Sequence, residues 1–221
     1  MLRNLLCLVV LAPLVGCHAA STPEGAPPAR TEAPAPSVAA VVGKDPGHAG
    51  RGTPLSPHAG RTLAAFAAGC FWGVEDAFRK VPGVTATAVG YSGGHTKDPT
   101  YEAVCEHGTG HAETVLIEFD PSVVSYEKIL GVFFRIHDPT TLNRQGPDVG
   151  DQYRSAVFTF SPAQDAAARE YVARTQTKIG RPVVTQIAPI GPFYMAEDYH
   201  QQYAERTGHH GCPVPNVAEG T

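Results

Sequence analysis

From residue 62 onward, apolar positions fall into short runs with two periods. Residues 62–68 (Thr-Leu-Ala-Ala-Phe-Ala-Ala) form a continuous apolar run of strand length. Val74, Ala77, Phe78 and Val81 then recur at helical spacing and predict a helix over 71–81, ended by Pro82-Gly83. Residues 84–90 read as a second strand, broken by Tyr91-Ser92-Gly93-Gly94 and followed by a polar loop. Residues 111–120 read as a third strand, with Val115, Ile117 and Phe119 on one face. Ser125 is a helix cap, and Tyr126, Ile129, Leu130, Phe133 and His137 share one helical face up to Asp138-Pro139. After a polar loop at 140–152, residues 153–160 predict a fourth strand. Ser161-Pro162-Ala163-Gln164 then opens a helix that runs to Gly180. A fifth strand at 183–188 and a short helix near 196–205 complete the pattern. The order βαββαβ, then αβ, predicts an α+β fold: a two-layer sandwich with a ferredoxin-like core and extra C-terminal elements.

The first 60 residues carry a different pattern. Met1-Leu2-Arg3-Asn4 and an apolar run from Leu5 to Val15 have the form of a secretory signal, too short to span a bilayer. The run ends Leu14-Val15-Gly16-Cys17, which resembles a bacterial lipoprotein processing box in which Cys17 becomes the lipidated first residue; the alternative is an ordinary signal with an incidental Cys17. Between His18 and Gly60 there is no aromatic residue, and Ala, Pro and Gly dominate. The expected organisation is therefore a signal at 1–16, a flexible tether at 17–60 and one folded domain at 61–221. That places the protein in a bacterial cell envelope, anchored by lipid on the extracytoplasmic, periplasmic side. The net charge of −4 and the absence of a basic block argue against nucleic acid as a partner.

Of five cysteines, Cys7 lies in the signal and Cys17 in the box, leaving Cys70, Cys105 and Cys212. An odd number in an exported protein points to at least one free thiol, a candidate for reactivity. Cys70 stands where the first strand gives way to the first helix, between Gly69 and Phe71-Trp72-Gly73. Unpaired N–H groups and the positive end of the helix dipole favour a thiolate there, the alternative being a buried structural cysteine in an aromatic core. Phe71 and Trp72, the single tryptophan, supply an apolar wall.

Several other residues have two readings. Glu113 opens an apolar strand, either as a general acid of raised pKa or as a solvated carboxylate at a sheet edge. Tyr101 and Tyr153 border the long loops and either donate to a polar oxygen or are simply half-buried. Asp148 either orients water and donors or shapes a turn. Cys212 sits among glycine, histidine and proline, as a mobile resolving thiol or a spare one, and Cys105 reads as structural. Cys105, His107 and His111, or His200, His209, His210 and Cys212, lack paired zinc spacing, so no metal is expected. No glycine-rich phosphate loop is present and no cofactor is expected.

Gly69-Cys-Phe-Trp-Gly73, Gly90-Tyr-Ser-Gly-Gly94, Tyr101-Glu-Ala-Val-Cys105, Gly108-Thr-Gly-His-Ala-Glu113, His137-Asp-Pro139, Arg144-Gln-Gly-Pro-Asp148, Gly150-Asp-Gln-Tyr-Arg-Ser155 and Phe193-Tyr-Met-Ala-Glu-Asp-Tyr-His-Gln-Gln202 occur in that order. Together they resemble the peptide methionine sulfoxide reductase A family over about residues 62–205. The resemblance implies a thiol-dependent reductase of methionine S-sulfoxide, free or in proteins. It assigns Cys70 as nucleophile, Glu113 as acid, Tyr101 and Tyr153 as hydrogen-bond donors, Asp148 as the residue that orders water, and Phe71 and Trp72 as the methyl pocket. It also implies a sulfenic acid on Cys70, a disulfide with a second thiol, here Cys212, and regeneration by a thioredoxin-like reductant. The tail around Cys212 departs from the family pattern.

The resulting expectation is a monomeric, membrane-anchored enzyme that repairs oxidised envelope proteins. A thiol peroxidase on the same scaffold and a non-catalytic module binding oxidised peptides are the alternatives.

Overall fold

The computed structural model describes residues 41–210. Cys17, Cys212 and the segment 1–16 lie outside the described residues, as does the tether before residue 41. The first strand, β1 (Thr62–Ala68), leads through Gly69 and Cys70 into helix α1 (Phe71–Arg79). Strand β2 (Val84–Ser92) follows, then a short helix α2 (Tyr101–Cys105) and strand β3 (Ala112–Phe119). Helix α3 (Tyr126–Arg135) is capped by Ser125, whose Oγ accepts from the main-chain N–H of Lys128. The loop after it holds a small hairpin, β4 (Arg144–Gln145) and β5 (Asp148–Val149), and a 3-10 turn at Asp151–Tyr153. Strand β6 (Ser155–Thr159), helix α4 (Pro162–Ile179), strands β7 (Gln186–Pro189) and β8 (Tyr194–Met195), and helix α5 (Tyr203–Thr207) complete the chain.

The main sheet has the order β7-β6-β1-β3-β2-β8. Only β6 and β7 run parallel. Its middle, β6-β1-β3-β2, with α1 and α3 as the crossovers, is the ferredoxin-like βαββαβ core expected from the sequence. The α+β sandwich is therefore observed, widened by one strand on each edge. Alternation along β1 and β3 divides two cores. Ala64, Phe66, Ala68, Val115, Ile117 and Phe119 face the helices and pack with Phe71, Phe78, Ile129 and Phe133. Ala65, Ala67, Ala112 and Leu116 face the other way, against Phe158 and Phe193, with Ala49 and Leu55 beside them. Among the described residues no helix is long and apolar enough to cross a membrane.

That second face carries the main difference from the sequence reading. The stretch expected to be a tether up to residue 60 is, from residue 41, a strap lying on the sheet. Gly43 bridges to Ala86 and Arg51 to Tyr194. Gly52 donates its N–H to Phe193 O at 2.8 Å, and Arg51 donates to Asp98 Oδ1 and Pro99 O. The glycines that read as flexibility serve close approach instead. A Cβ on Gly52 would sit 2.8 Å from the Tyr194 ring, and one on Gly47 would sit 2.7 Å from Leu63.

The remaining differences are local: α2, the β4–β5 hairpin and β8 are elements that the pattern does not predict, and several ends shift. β2 runs through Tyr91 to Ser92, because Tyr91 pairs with Glu113 and Ser92 with Ala112. α2, expected as loop, is a single turn capped by Thr100, whose side chain accepts from Ala103 N–H. The last helix begins at Tyr203 rather than near 196, after turns at 198–202.

Candidate active site

Cys70 occupies the N-cap of α1 and is half-buried. The turn that delivers it requires glycine. Gly69 has φ +92°, and a Cβ there would lie 2.8 Å from Gln145. Gln145 is itself locked, accepting from Asp138 N–H at 3.0 Å and donating to Asp138 O at 2.7 Å. The loop carrying Asp148 is thereby packed onto the turn carrying Cys70.

Glu113 stands at the start of β3, on the helix-facing side of a central strand rather than at a sheet edge. Its side chain is buried, and Oε2 accepts the Phe71 N–H at 2.9 Å. Burial pushes its pKa up to about 8; the Phe71 bond opposes this and the nearby Asp148 carboxylate adds to it. At neutral pH the carboxyl therefore carries a proton. Asp148 is raised too, by burial.

The two tyrosines flank this carboxyl. Tyr101 opens α2 and shares a hydrogen bond with Cys105; burial and that bond raise its pKa above the usual phenol value. Tyr153 ends the 3-10 turn and is raised by burial, then by Glu113 and Asp148. Both are hydroxyl donors at any physiological pH. The Cys105 thiol is itself raised by burial; the Tyr101 bond favours ionisation, and the acidic side chains of Glu113, Glu102 and Glu197 oppose it. That environment makes it a poor nucleophile.

Cys70, Phe71, Trp72, Tyr101, Glu113, Asp148 and Tyr153 line one cavity of about 410 Å³. The same cavity is bordered by three residues to which the sequence reading gave no part in the pocket: Tyr203, His209 and His210. Tyr203 stacks on Trp72 with ring centroids 3.9 Å apart and planes 11° off parallel. A further residue behind the wall also went unassigned. His200, 1 % exposed, accepts the Trp72 Nε1–H on Nδ1 at 3.0 Å. Its ring also packs on Phe71 and Tyr101. Glu197, just before it, accepts from Tyr91 Oη at 2.9 Å and from the Tyr101 N–H at 3.0 Å. Both residues lie in the Phe193–Gln202 motif, which carried the resemblance but had no role attached.

The histidines considered as ligands have other duties. His111 accepts Gly94 N–H on Nδ1 and donates Nε2–H to Thr96 O, while His107 faces Asp151. Cys212 lies outside the described residues.

A thiol at a helix start faces a protonated carboxyl and two phenol donors, beside an aromatic wall. The arrangement suits thiol redox chemistry on a polar oxygen held next to an apolar group. The family profile described as peptide methionine sulfoxide reductase matches residues 62–219. A peptide methionine sulfoxide reductase MsrA of Methanosarcina acetivorans is 60% identical over 156 residues, 69% of this chain and 82% of its own length. Reduced Mxr1 of Saccharomyces cerevisiae superposes with a TM-score of 0.68 at 38% identity, over 72% of this chain and 92% of that one. Mxr1 has also been solved in complex with Trx2; it matches with a TM-score of 0.50 at 28% identity, over 73% of this chain and 93% of that one. The chain belongs to the peptide methionine sulfoxide reductase family, and its enzyme class is peptide-methionine (S)-S-oxide reductase.

Proposed function

We propose that the cavity reduces methionine S-sulfoxide by attack of the Cys70 thiolate on the sulfoxide sulfur. That sulfur is a weak electrophile until its oxygen is protonated. Glu113 supplies the proton, while the Tyr101 and Tyr153 hydroxyls hold the oxygen and Asp148 orders water beside it. Phe71 and Trp72 take the S-methyl group, a contact worth ~1–2 kcal/mol. The oxygen passes to Cys70, the sulfoxide sulfur gains two electrons, and methionine leaves with Cys70 as a sulfenic acid. Cys212 then condenses with that sulfenic acid, releasing water and forming a disulfide that a thioredoxin-like dithiol reduces. The complex of the yeast relative with Trx2 supports the last step.

The observation that carries the proposal is the buried Glu113 carboxyl, its pKa pushed up to about 8, in the same cavity as Cys70. Binding alone would need neither a proton donor nor a thiol. The signal-like start and Cys17 support an envelope-anchored enzyme that repairs oxidised exported proteins, with an extracytoplasmic reductant. The experiment supplies dithiothreitol and separated sulfoxide epimers and scores methionine release. The S epimer alone should turn over, and Cys70→Ser should abolish it. Peroxide turnover in place of sulfoxide turnover would select the thiol peroxidase instead. Peptide mapping after one round of substrate oxidation should find Cys70 joined to Cys212.

A further inference from the structure

The strap carries a group of side chains that the sulfoxide chemistry does not use. Asp45, His48 and His58 each offer one metal-ligating atom, and these atoms all lie within 4.8 Å of one another. Asp45 Oδ2 is 3.5 Å from His48 Nδ1. The two imidazole rings have centroids 4.5 Å apart and planes 46° from parallel. The side chains of His48 and Asp45 are 62% and 59% exposed, so burial of apolar surface does not explain why they gather.

Behind His58 stands a buried carboxylate. Glu118, with its side chain 4% exposed, accepts both the Nδ1–H of His58 at 2.8 Å and the His58 main-chain N–H at 2.9 Å. An ionised carboxylate only accepts, so this bond fixes His58 as the Nδ1–H tautomer and leaves the lone pair of Nε2 available. A carboxylate on the far nitrogen of an imidazole is the outer-shell arrangement that orients metal-bound histidine and raises its basicity.

We propose that Asp45, His48 and His58, backed by Glu118, bind a late first-row divalent cation, with Zn2+ as the reference ion. Two imidazoles and one carboxylate suit zinc with a water in the fourth position, whereas calcium and magnesium prefer oxygen donors throughout. Bonds of ~2.0–2.2 Å bring tetrahedral ligands to roughly 3.3 Å from one another. The exposed side chains reach that spacing by rotation about their own bonds. The site lies five residues along β3 from Glu113, about 17 Å, and on the other face of the sheet. The cation would join the 45–48 turn to residue 58 and, through Glu118, fasten the strap to the sheet.

The test is calorimetric titration of the full chain with ZnCl2 after its thiols are capped with iodoacetamide. Wild type should bind Zn2+ saturably, and His48→Ala should weaken binding at least ten-fold. The His48 side chain is 62% exposed and meets Asp45 and His58, so this variant should keep the fold. Asp45→Asn should weaken binding by a smaller factor, and Zn2+ should raise the thermal midpoint of wild type but not of His48→Ala. His210→Ala serves as the control, because His210 faces Asp76 at the mouth of the catalytic cavity. No saturable binding by capped wild type, less than a ten-fold loss in His48→Ala, or loss of binding in His210→Ala would each overturn the proposal.

Discussion

Glu113 and Glu118 lie on the same strand, both buried, at 2% and 3% exposure. They differ in what they meet. Glu113 faces the helices and accepts the Phe71 N–H. Glu118 faces the strap and is met by His58 N–H, His58 Nδ1–H, Thr85 Oγ1–H and, more distantly, Gly47 N–H. Burial raises both pKa values. For Glu113 it prevails, and the value rises to about 8. For Glu118 the His58 and Thr85 hydrogen bonds outweigh burial, and the value falls below the ordinary carboxylate. The two also differ in depth: Glu113 is the more deeply desolvated, while Glu118 lies nearer the surface, so depth of burial and number of donors act together. Deep burial with few donors leaves a proton to give away, and shallower burial with several donors makes a structural anion.

The largest effect that breaks this pairing is on turnover. Glu113→Gln keeps the shape and the contact with Phe71 but removes the transferable proton. The expected loss in kcat/KM is ~10²–10⁴-fold, while Glu118→Gln should leave turnover within about three-fold. Comparable losses in both variants would mean that Glu113 acts through the fold rather than through its proton.

Next in size is the pH profile. Because the acid must be protonated, kcat/KM for the sulfoxide should fall about ten-fold per pH unit above the Glu113 value of about 8. The stability slopes of the two carboxyls have opposite signs. Between 4.5 and about 8 the unfolded chain releases the Glu113 proton while the folded chain keeps it, so stability falls as pH rises through that window. Glu118 ionises more readily when folded, so its contribution is present above 4.5 and is lost as pH falls through its folded value. Urea denaturation across pH should lose the first slope in Glu113→Gln and the second in Glu118→Gln. At neutral pH, Glu118→Gln should also cost ~1–3 kcal/mol, since His58 and Thr85 lose a charged acceptor. Proteolysis should then cut the strap before the rest of the domain.

The sequence made one of these carboxylates visible and hid the other. Glu113 interrupts an apolar strand, and a family motif ends on it. Glu118 stands one place from the end of the same strand, where an exposed carboxylate is unremarkable. Its partners, His58 and Gly47, belong to a stretch whose Ala, Pro and Gly content reads as unstructured. Composition reports how little apolar surface a segment offers. It does not report that missing side chains let a backbone lie flat on a sheet, as Gly47 and Gly52 do. The sandwich core was legible because strand and helix periods are local. Cys70, Glu113, Tyr101, Tyr153, Asp148, Phe71 and Trp72 come from separate segments, and their gathering in one cavity was expected only through the family motifs. His200 and Tyr203 were not assigned, because a residue that supports an aromatic wall from behind has no spacing signature.

The smallest test sharpens the comparison without touching either carboxylate. Thr85 Oγ1 lies 3.1 Å from Glu118 Oε1 and 3.1 Å from the Glu118 main-chain oxygen. Thr85→Val keeps the branched shape and a good strand residue while deleting the hydroxyl. The two His58 bonds remain, so Glu118 stays ionised at neutral pH with one donor fewer. Loss of one such bond to a charged group should cost roughly 1.5 kcal/mol. The acid limb of the stability curve should also move to higher pH, because the folded pKa of Glu118 rises towards 4.5. If donor number sets the state of these buried carboxyls, each deletion shifts Glu118 a step towards the condition of Glu113. A variant that loses stability equally at every pH, with no movement of the acid limb, would show that the hydroxyl contributes packing alone.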